Sequence, residues 1–522
     1  MASIVKMKNK RSGITYLYQS QSYWDKEKQA PRARRICIGK IDPETGETVY
    51  NRKYSSPAAQ AAVRDDVHIA SSSIVGPSLV LSAASDSLKL PQVLRASMGS
   101  PLAEQILALA WYLVDQHSPM YLAESWMQTH FNPCKKPLTS ARISGVLRQI
   151  TPGLIQGFFK RWIALRQESE YLCYDISSVS SYASGNEFVE YGYNRDRESL
   201  PQVNMALISG IHSAVPVYYN LLPGSLTDVK TLEELLAHAK KLGITKAHLI
   251  MDRGFYSSKN LQMLRDGNYK FIIPLPAHVK LVHEIIDAYR DKIEMPDTLI
   301  QVSEDTRSAL YGMSIYRKTP EGKRMWYHLY FDTARRTSYI LDFFENLTMW
   351  EAELTQQRLV DSHQWAYDQY FIVKTTPKRG RTVTRNMEAI HAYKQSYAGY
   401  WILATNCEKD TKQALEYYRQ RSRVEQHFDN LKNELDLNRL RIHDAQAMHG
   451  RVLIQFVALI VLQEVRNTLA RSTSMRKYTV KEALWRLASY TELTFSGTYG
   501  TVRSTATKSQ REILELFGVP HS

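Results

Sequence analysis

The sequence predicts an α/β fold, with a sheet of mixed strand direction interrupted by an inserted subdomain and preceded by a small β unit and a helical region. Three observations carry this reading. Three strand-like runs follow one another without a helix between them, YLCYDISSVS, VNMALISG and AVPVYYNLLPG. Strand and helix then alternate, as α/β sheets require. Finally, apolar residues recur at helical spacing in the stretch EYYRQRSRVEQHFDNLKNEL, which follows a further strand. With 522 residues, 44% of them hydrophobic, the chain has room for about three or four domains with well-formed cores.

Residues 1–60 form the small basic β unit. Aromatic and β-branched runs (ITYLYQS, RRICIGKI) flank the turn signal DPETGE, and Arg32, Arg34, Arg35 and Lys40 make the unit basic. Stretches rich in Ala and Ser, SSPAAQAAV and SAASDS, separate it from a helical region assigned to 61–168. That region contains AEQILALAWYLVDQ and SARISGVLRQITPGLIQGFFKRWIALRQ, broken by Pro133 and Pro137. Two helices about a short break suit a helix-turn-helix reader of DNA ends or an ordinary bundle, and no signature separates the two.

Residues 169–290 are the first part of the α/β domain. Its three strands lead to the helix DVKTLEELLAHAKKLG, the strand KAHLIMD, the helix SKNLQMLRDGN and the strand YKFIIPL. The tyrosine- and arginine-rich segment 291–396 breaks the alternation and reads as the inserted subdomain. The second part, 397–470, holds the strand YWILATN, a capping pair at Asp410 and Gln413, and the long apolar run VLIQFVALIVLQEV. This run contains Gln455 and Gln463 and is shorter than a membrane span, so it reads as a buried helix. Residues 471–522 read as a helical tail.

Lys and Arg number 67 against 52 Asp and Glu, a formal charge of +15, which favours a polyanionic partner such as nucleic acid. Four scattered cysteines, Cys37, Cys134, Cys173 and Cys407, have neither zinc spacing nor a disulfide pattern, so a reducing cytoplasm is expected. The basic N-terminus MASIVKMKNKRSG lacks the apolar run of a signal peptide, and no membrane partner is expected.

The chemistry centres on three carboxylates. At about 100° per residue, Tyr418, Arg421, Glu425 and Lys432 fall within roughly 60° on one helix face. Val424, Phe428, Leu431 and Leu435 occupy the neighbouring arc, which would pack on a sheet and leave Glu425 at a cleft edge. An amphipathic surface helix with internal ion pairs would look the same. Asp175 and Asp252 each end a strand-like run, where α/β sheets place ligands, although an Asp after a strand is more often a cap. Three hard oxygen donors suit magnesium or manganese rather than zinc. Two such ions about 4 Å apart serve phosphodiester chemistry, activating a water or a 3′ hydroxyl and stabilising the leaving oxygen. Arg421 and Lys432 would hold phosphates and Tyr418 would donate a hydrogen bond.

Tyr418, Arg421, Glu425 and Lys432 reproduce the Y-x2-R-x3-E-x6-K signature, and here the chain resembles the DDE transposases of bacterial insertion sequences, in the group called insertion sequence four. MDRGFYSSKNLQML is similar to that family's D-R-G-F block, and the segment opened by YDISS to its first block, with LLPGSLTDVKTLEELL between them. The resemblance runs from about 170 to 470. It implies an RNase H-like catalytic domain, with Asp175, Asp252 and Glu425 as the metal-binding triad for two magnesium ions, manganese substituting. It also implies cut-and-paste transposition of double-stranded DNA by a homodimer pairing the element ends, through a hairpin in which a tryptophan resembling Trp401 stacks on a flipped base. A core aromatic on a sheet strand is the alternative for Trp401.

Arg253 is a further DNA-contact candidate beside Asp252, and Asp228 is a rival carboxylate explained as a helix cap. The run KTTPKRGRTVTRN, with Lys374, Lys378, Arg379, Arg381 and Arg385, reads as a flexible basic loop able to follow a backbone. His427 has no partner at metal spacing and stays outside the site. Two other functional classes remain open: an RNase H-like nuclease without strand transfer, and a transposase-derived DNA-binding protein without catalysis.

Overall fold

The structure, a computed structural model, describes every residue except 1, 26–28, 52–68, 167–170, 197, 227, 243–247, 304, 306, 377–379, 395–396, 497–499 and 521–522. The separator at 55–63 and Lys378 and Arg379 of the basic run lie outside the described residues. The chain divides into two compact units, the first combining Met1–Gly76 with Leu487–Gln510 and the second comprising Pro77–Arg486 with Arg511–Pro520.

In the first unit, β1 (Ala2–Lys8), β2 (Thr15–Asp25), β3 (Ala30–Ile41) and β4 (Thr48–Tyr50) form an antiparallel sheet in chain order. A second sheet joins the two ends of the chain. β5 (Ile69–Ile74) pairs antiparallel with Thr491–Phe495, which pairs in turn with Thr501–Arg503. The expected helical tail of 471–522 therefore contains two strands, because β5 offers an edge for them.

The second unit opens with α1 (Gly76–Ser87), α2 (Leu90–Met98), α3 (Ser100–Gln116), α4 (Ala123–Thr129), α5 (Ser140–Gln149) and α6 (Pro152–Arg166). SAASDS, expected as part of a separator, lies within α1. Pro133 and Pro137 fall in the non-helical stretch before α5, whose cap is Thr139 accepting from the Arg142 N–H at 3.3 Å.

Its main sheet begins with β6 (Tyr171–Ser181), β7 (Gln202–Gly210) and β8 (Pro216–Pro223), an antiparallel meander. Next come α7 (Asp228–Lys241), β9 (His248–Ile250), α8 (Ser258–Asp266) and β10 (Lys270–Pro274), with β9 parallel to both β6 and β10. Every residue of β7 is buried, as a central strand covered on both faces requires.

The segment 291–396 divides in two after α9 (Lys280–Ile293). β11 (Leu299–Ser303), β12 (Ser308–Lys318) and β13 (Arg324–Asp332) continue the main sheet. The remainder, α10 (Thr333–Gln356), α11 (Gln364–Tyr370), β14 (Phe371–Thr376), β15 (Gly380–Arg385) and α12 (Met387–Lys394), builds a separate small core around Phe343, Leu347, Trp350, Tyr367 and Tyr370. The basic run is no flexible loop: it lies largely in the β14–β15 hairpin, with Arg385 paired to Glu351 at 2.7 Å. β16 (Tyr400–Thr405) then fits between β13 and β10, antiparallel to both.

The stretch expected as one helix is α13 (Thr411–Arg419), a turn at Gln420 and Arg421, α14 (Ser422–Asp429) and a π-helical turn at Asn430–Glu434. Asp410 caps α13, accepting from the Gln413 N–H at 2.8 Å. The break arises where hydrogen bonds tighten to i→i+3: the N–H of Arg421 donates to Tyr418 and that of Val424 to Arg421. Val424, Phe428, Leu431 and Leu435 are all buried, and α14 packs on β6 and β7. After β17 (Arg439–Leu440), parallel to β6, comes α15 (Ala445–Arg471). Among the described residues α15 is the one helix long and apolar enough to cross a membrane, and 78% of its most apolar window is buried inside the protein. It packs on α3 and α5, and Gln455 within it donates to the Leu435 carbonyl at 2.9 Å.

Candidate active site

β6 carries Asp175, but in mid-strand rather than at its end. The physical reason is the pairing. β9 accompanies β6 only over Tyr171–Cys173, whereas β17 joins it only at Ser180 and Ser181, leaving that edge of β6 open beside Asp175. Asp252 follows β9 by two residues and opens a short 3-10 turn, with no hydrogen bond from its side chain to that turn. The two carboxylates come close enough for the charge of Asp252 to act on Asp175.

Arg421 connects these strands to α14. Its guanidinium lies 3.3 Å from the Asp175 Oδ2 and 2.6 Å from the Glu425 Oε1. The turn at Gln420 and Arg421 lets one side chain reach both acids. Asp175 and Arg421 are largely buried, with side chains 13% and 14% exposed, whereas Glu425 is 53% exposed. Burial pushes the Asp175 carboxyl up to about 6, against the opposing pull of Arg421, the Ile176 N–H and Arg195, while Asp252 adds to the rise. For Arg421, burial opposes the charge, but Asp252 and Asp175 outweigh it and hold the guanidinium above the usual arginine range. The Tyr418 hydroxyl is raised by burial, with Asp252 and Glu425 adding and Arg421 opposing.

Asp252, Arg253, Trp401, Tyr418 and Arg421 all line one cleft of about 840 Å³. Five expected residues from four segments therefore meet. Trp401 stacks on Tyr330, with centroids 5.1 Å apart, and the Arg335 guanidinium stands 5.3 Å from its ring centroid. Lys432 is engaged with an acid of its own. The π-turn carries it to Asp196, at 2.6 Å, in the loop between β6 and β7. Asp228 is the first residue of α7, and its side chain lies outside the described residues. His427 is buried beneath α14, its Nε2 2.8 Å from the Ala214 carbonyl, and so serves the core.

Sequence reasoning missed Arg195, whose charge reaches Asp175, and whose N–H donates to the Ser178 Oγ at 2.9 Å. It also missed Arg335, Tyr339, Tyr393 and Tyr397, which line the cleft from α10, α12 and the loop before β16. The cluster NRDR was a local signal for Arg195, whereas the others meet only through tertiary packing. Two glycines fix the loop that holds Arg195. A Cβ on Gly192 would stand 2.0 Å from the Gly224 carbonyl oxygen, and one on Gly224 would stand 2.2 Å from the Gln202 carbonyl oxygen, so neither position has room for a side chain.

Among the described residues, no three His, Cys, Asp or Glu side chains gather closely enough to hold a metal ion. Arg421 bridges Asp175 and Glu425 instead. The donor set nevertheless fits a hard divalent cation in kind: carboxylate oxygens, one of them raised to about 6 by burial.

Residues 168–461 match the family described as the transposase DDE domain. The chain belongs to this transposase family. The matched segment spans the whole sheet from β6 to β16 together with α13, α14 and most of α15, so both aspartates and Glu425 fall inside the DDE domain. No curated protein matches the chain. Among solved structures, it is similar to the piggyBac transposase in a cryo-electron microscopy structure of a synaptic complex with hairpin DNA. That likeness has a TM-score of 0.38 at 10% identity, covering 79% of this chain and 76% of the other.

Proposed function

We propose that this DDE-domain chain catalyses cut-and-paste transposition of an insertion sequence, cutting double-stranded DNA at the element's terminal inverted repeats and joining it to target DNA. The observation that carries this is the junction at Arg421, where Asp175 of β6, Glu425 of α14 and the charge of Asp252 after β9 converge beside a cleft. Asp175, Asp252 and Glu425 would hold two magnesium ions, with manganese able to substitute. The bound ions would activate the attacking hydroxyl and stabilise the leaving oxygen. The chain's own residues would bind and orient: Arg421 and Lys432 exchange their internal acids for phosphates, Tyr418 donates its hydroxyl, and Arg253 contacts the strand beside Asp252.

The meander β6 to β8 followed by parallel β9 and β10 supports an RNase H-like reading of the domain. Trp401, lining the cleft with Asp252, supports a hairpin route in which it stacks on an extruded base. We further propose a homodimeric synaptic complex, end binding by the helical region α1–α6, the segment 291–396 as an inserted subdomain, and action in the bacterial cytoplasm at the nucleoid.

Precleaved element ends incubated with supercoiled plasmid and magnesium should give joined products, and uncleaved ends should pass through hairpin ends visible on denaturing gels. Cleavage without joining would instead make the chain a nuclease, and binding alone a DNA-binding derivative. Asp175→Asn, Asp252→Asn and Glu425→Gln should each abolish strand cleavage with end binding largely retained. Any of the three that cleaved at a near wild-type rate would leave the triad.

A further inference from the structure

The β2–β3 hairpin extends beyond its own sheet. β1 pairs with β2 only up to Gln21, and β4 pairs with β3 only over Gly39–Ile41, so among the described residues Ser22–Asp25 and Ala30–Ala33 face each other as two strands without a third. A two-stranded ribbon is at best marginally stable in water. This one also exposes its aromatics, Trp24 by 62% and Tyr23 by 51%.

The pairing fixes which side chains share a face, because successive residues alternate across a sheet. Tyr23 pairs with Arg32, Gln21 with Arg34 and Gln19 with Ile4, so these lie on one face. Lys6 and Lys8 join them through their partners Leu17 and Thr15. Lys6, Lys8, Arg32 and Arg34 are all exposed. Among the described residues of the three strands, the one acid is Asp25, 3.5 Å from Arg32. Lys6, Lys8 and Arg34 have no acidic partner within this face. Trp24 and Arg35 lie on the opposite face, where Arg35 donates to the Met7 sulfur at 3.7 Å.

We propose that this ribbon and its basic face grip double-stranded DNA. The face combines point charges and guanidinium forks for phosphates with amide groups of Gln19 and Gln21 that can meet base edges. A two-stranded ribbon fits the B-DNA major groove, which is about 12 Å wide. With an aromatic on each face, the ribbon has apolar surface that bound DNA would cover. Charge complementarity selects a polyanion over a protein or a neutral surface. The width of a two-stranded ribbon selects a duplex groove over a single strand. DNA binding by the ribbon requires none of Asp175, Asp252 and Glu425.

The test uses the full chain and a fluorescent duplex of random sequence, titrated by anisotropy across a salt series. Replacing Lys6, Lys8, Arg32 and Arg34 together by Gln should weaken binding at least about tenfold and reduce the slope of log affinity against log salt by about 3 to 4, near 0.9 for each phosphate no longer neutralised. Trp24→Ala with Tyr23→Ala should lower affinity and leave that slope unchanged. Single-stranded RNA should compete less well than unlabelled duplex. Wild-type affinity and slope in the fourfold variant, with an unchanged melting curve, would overturn the proposal, as would RNA competing better than duplex. Anisotropy reads binding without any cleavage step, so a failure of the catalytic reading leaves this result readable.

Discussion

Asp175 holds a carboxylate where water scarcely reaches, and the consequence is a proton balance that depends on fold. Its pKa rises from 3.8 to about 6 on folding, so between those values the folded chain binds the extra proton. Stability from this group is therefore greatest below 3.8 and falls as pH rises through about 6, by on the order of 3 kcal/mol. Asp175→Asn should melt several degrees higher than the metal-free wild type at pH 8, with the two curves converging near pH 4. Equal melting at pH 8 would show that the buried charge is fully compensated by Arg421. His427 runs the opposite way: burial lowers it to about 4, so stability is lost as pH falls below 6.5. His427→Gln, which keeps a donor for the Ala214 carbonyl, should flatten the acid limb of a melting profile between 6.5 and 4. A third expectation concerns Lys432. Asp196→Asn removes its internal partner, and should raise duplex affinity and steepen the salt slope by about 1 if Lys432 serves phosphates. Unchanged binding would leave the pair a purely structural tie. At this scale Asp252 and Glu425 are legible from sequence because short apolar runs and helical spacing place them. The mid-strand position of Asp175 is not, since it depends on where a distant strand, β9, stops pairing.

Among the elements, helical periodicity identifies α13 and α14 and their buried arc correctly, since Val424, Phe428, Leu431 and Leu435 are local and regularly spaced. It cannot show the turn at Gln420 and Arg421 or the π-turn at Asn430–Glu434, because no Pro or Gly marks them and both depend on packing against β6, β7 and Asp196. A wheel drawn on an ideal helix consequently places Lys432 with Glu425 but cannot show the π-turn that carries it or its pairing with Asp196. The run VLIQFVALIVLQEV shows the reverse: apolar on every side, it can only be buried, and α15 is. Gly450 lets α15 approach α5 closely, since a Cβ there would lie 2.2 Å from the Leu147 carbonyl oxygen. Gly450→Ala has only backbone to push against, and should destabilise the chain by about 1–3 kcal/mol in denaturant titration. A neutral result would mean that α5 shifts freely on α15.

At the scale of the whole molecule, the main sheet is broader than the sequence implies. β11–β13 extend it through β16, a strand that connects two segments by antiparallel pairing on both edges. Alternation of strand and helix reveals the first half, where neighbours in space are neighbours in sequence. The second half escapes because β16 pairs with strands whose sequence neighbours are helices and loops. The β5 sheet is the extreme case, joining residues near the two ends of the chain. A chain truncated after Arg486 should be cut by proteinase K within Ile69–Ile74 while the full chain resists there; equal resistance would show that β5 is held by something else.

That pairing also orders events during synthesis. β5 leaves the ribosome well before its partner strand at Thr491–Phe495 is made, on the order of a minute sooner at ordinary translation rates. Until then the first unit keeps an open strand edge, and a prematurely terminated polypeptide keeps it permanently. A product terminated before Thr491–Phe495 therefore cannot complete the first unit.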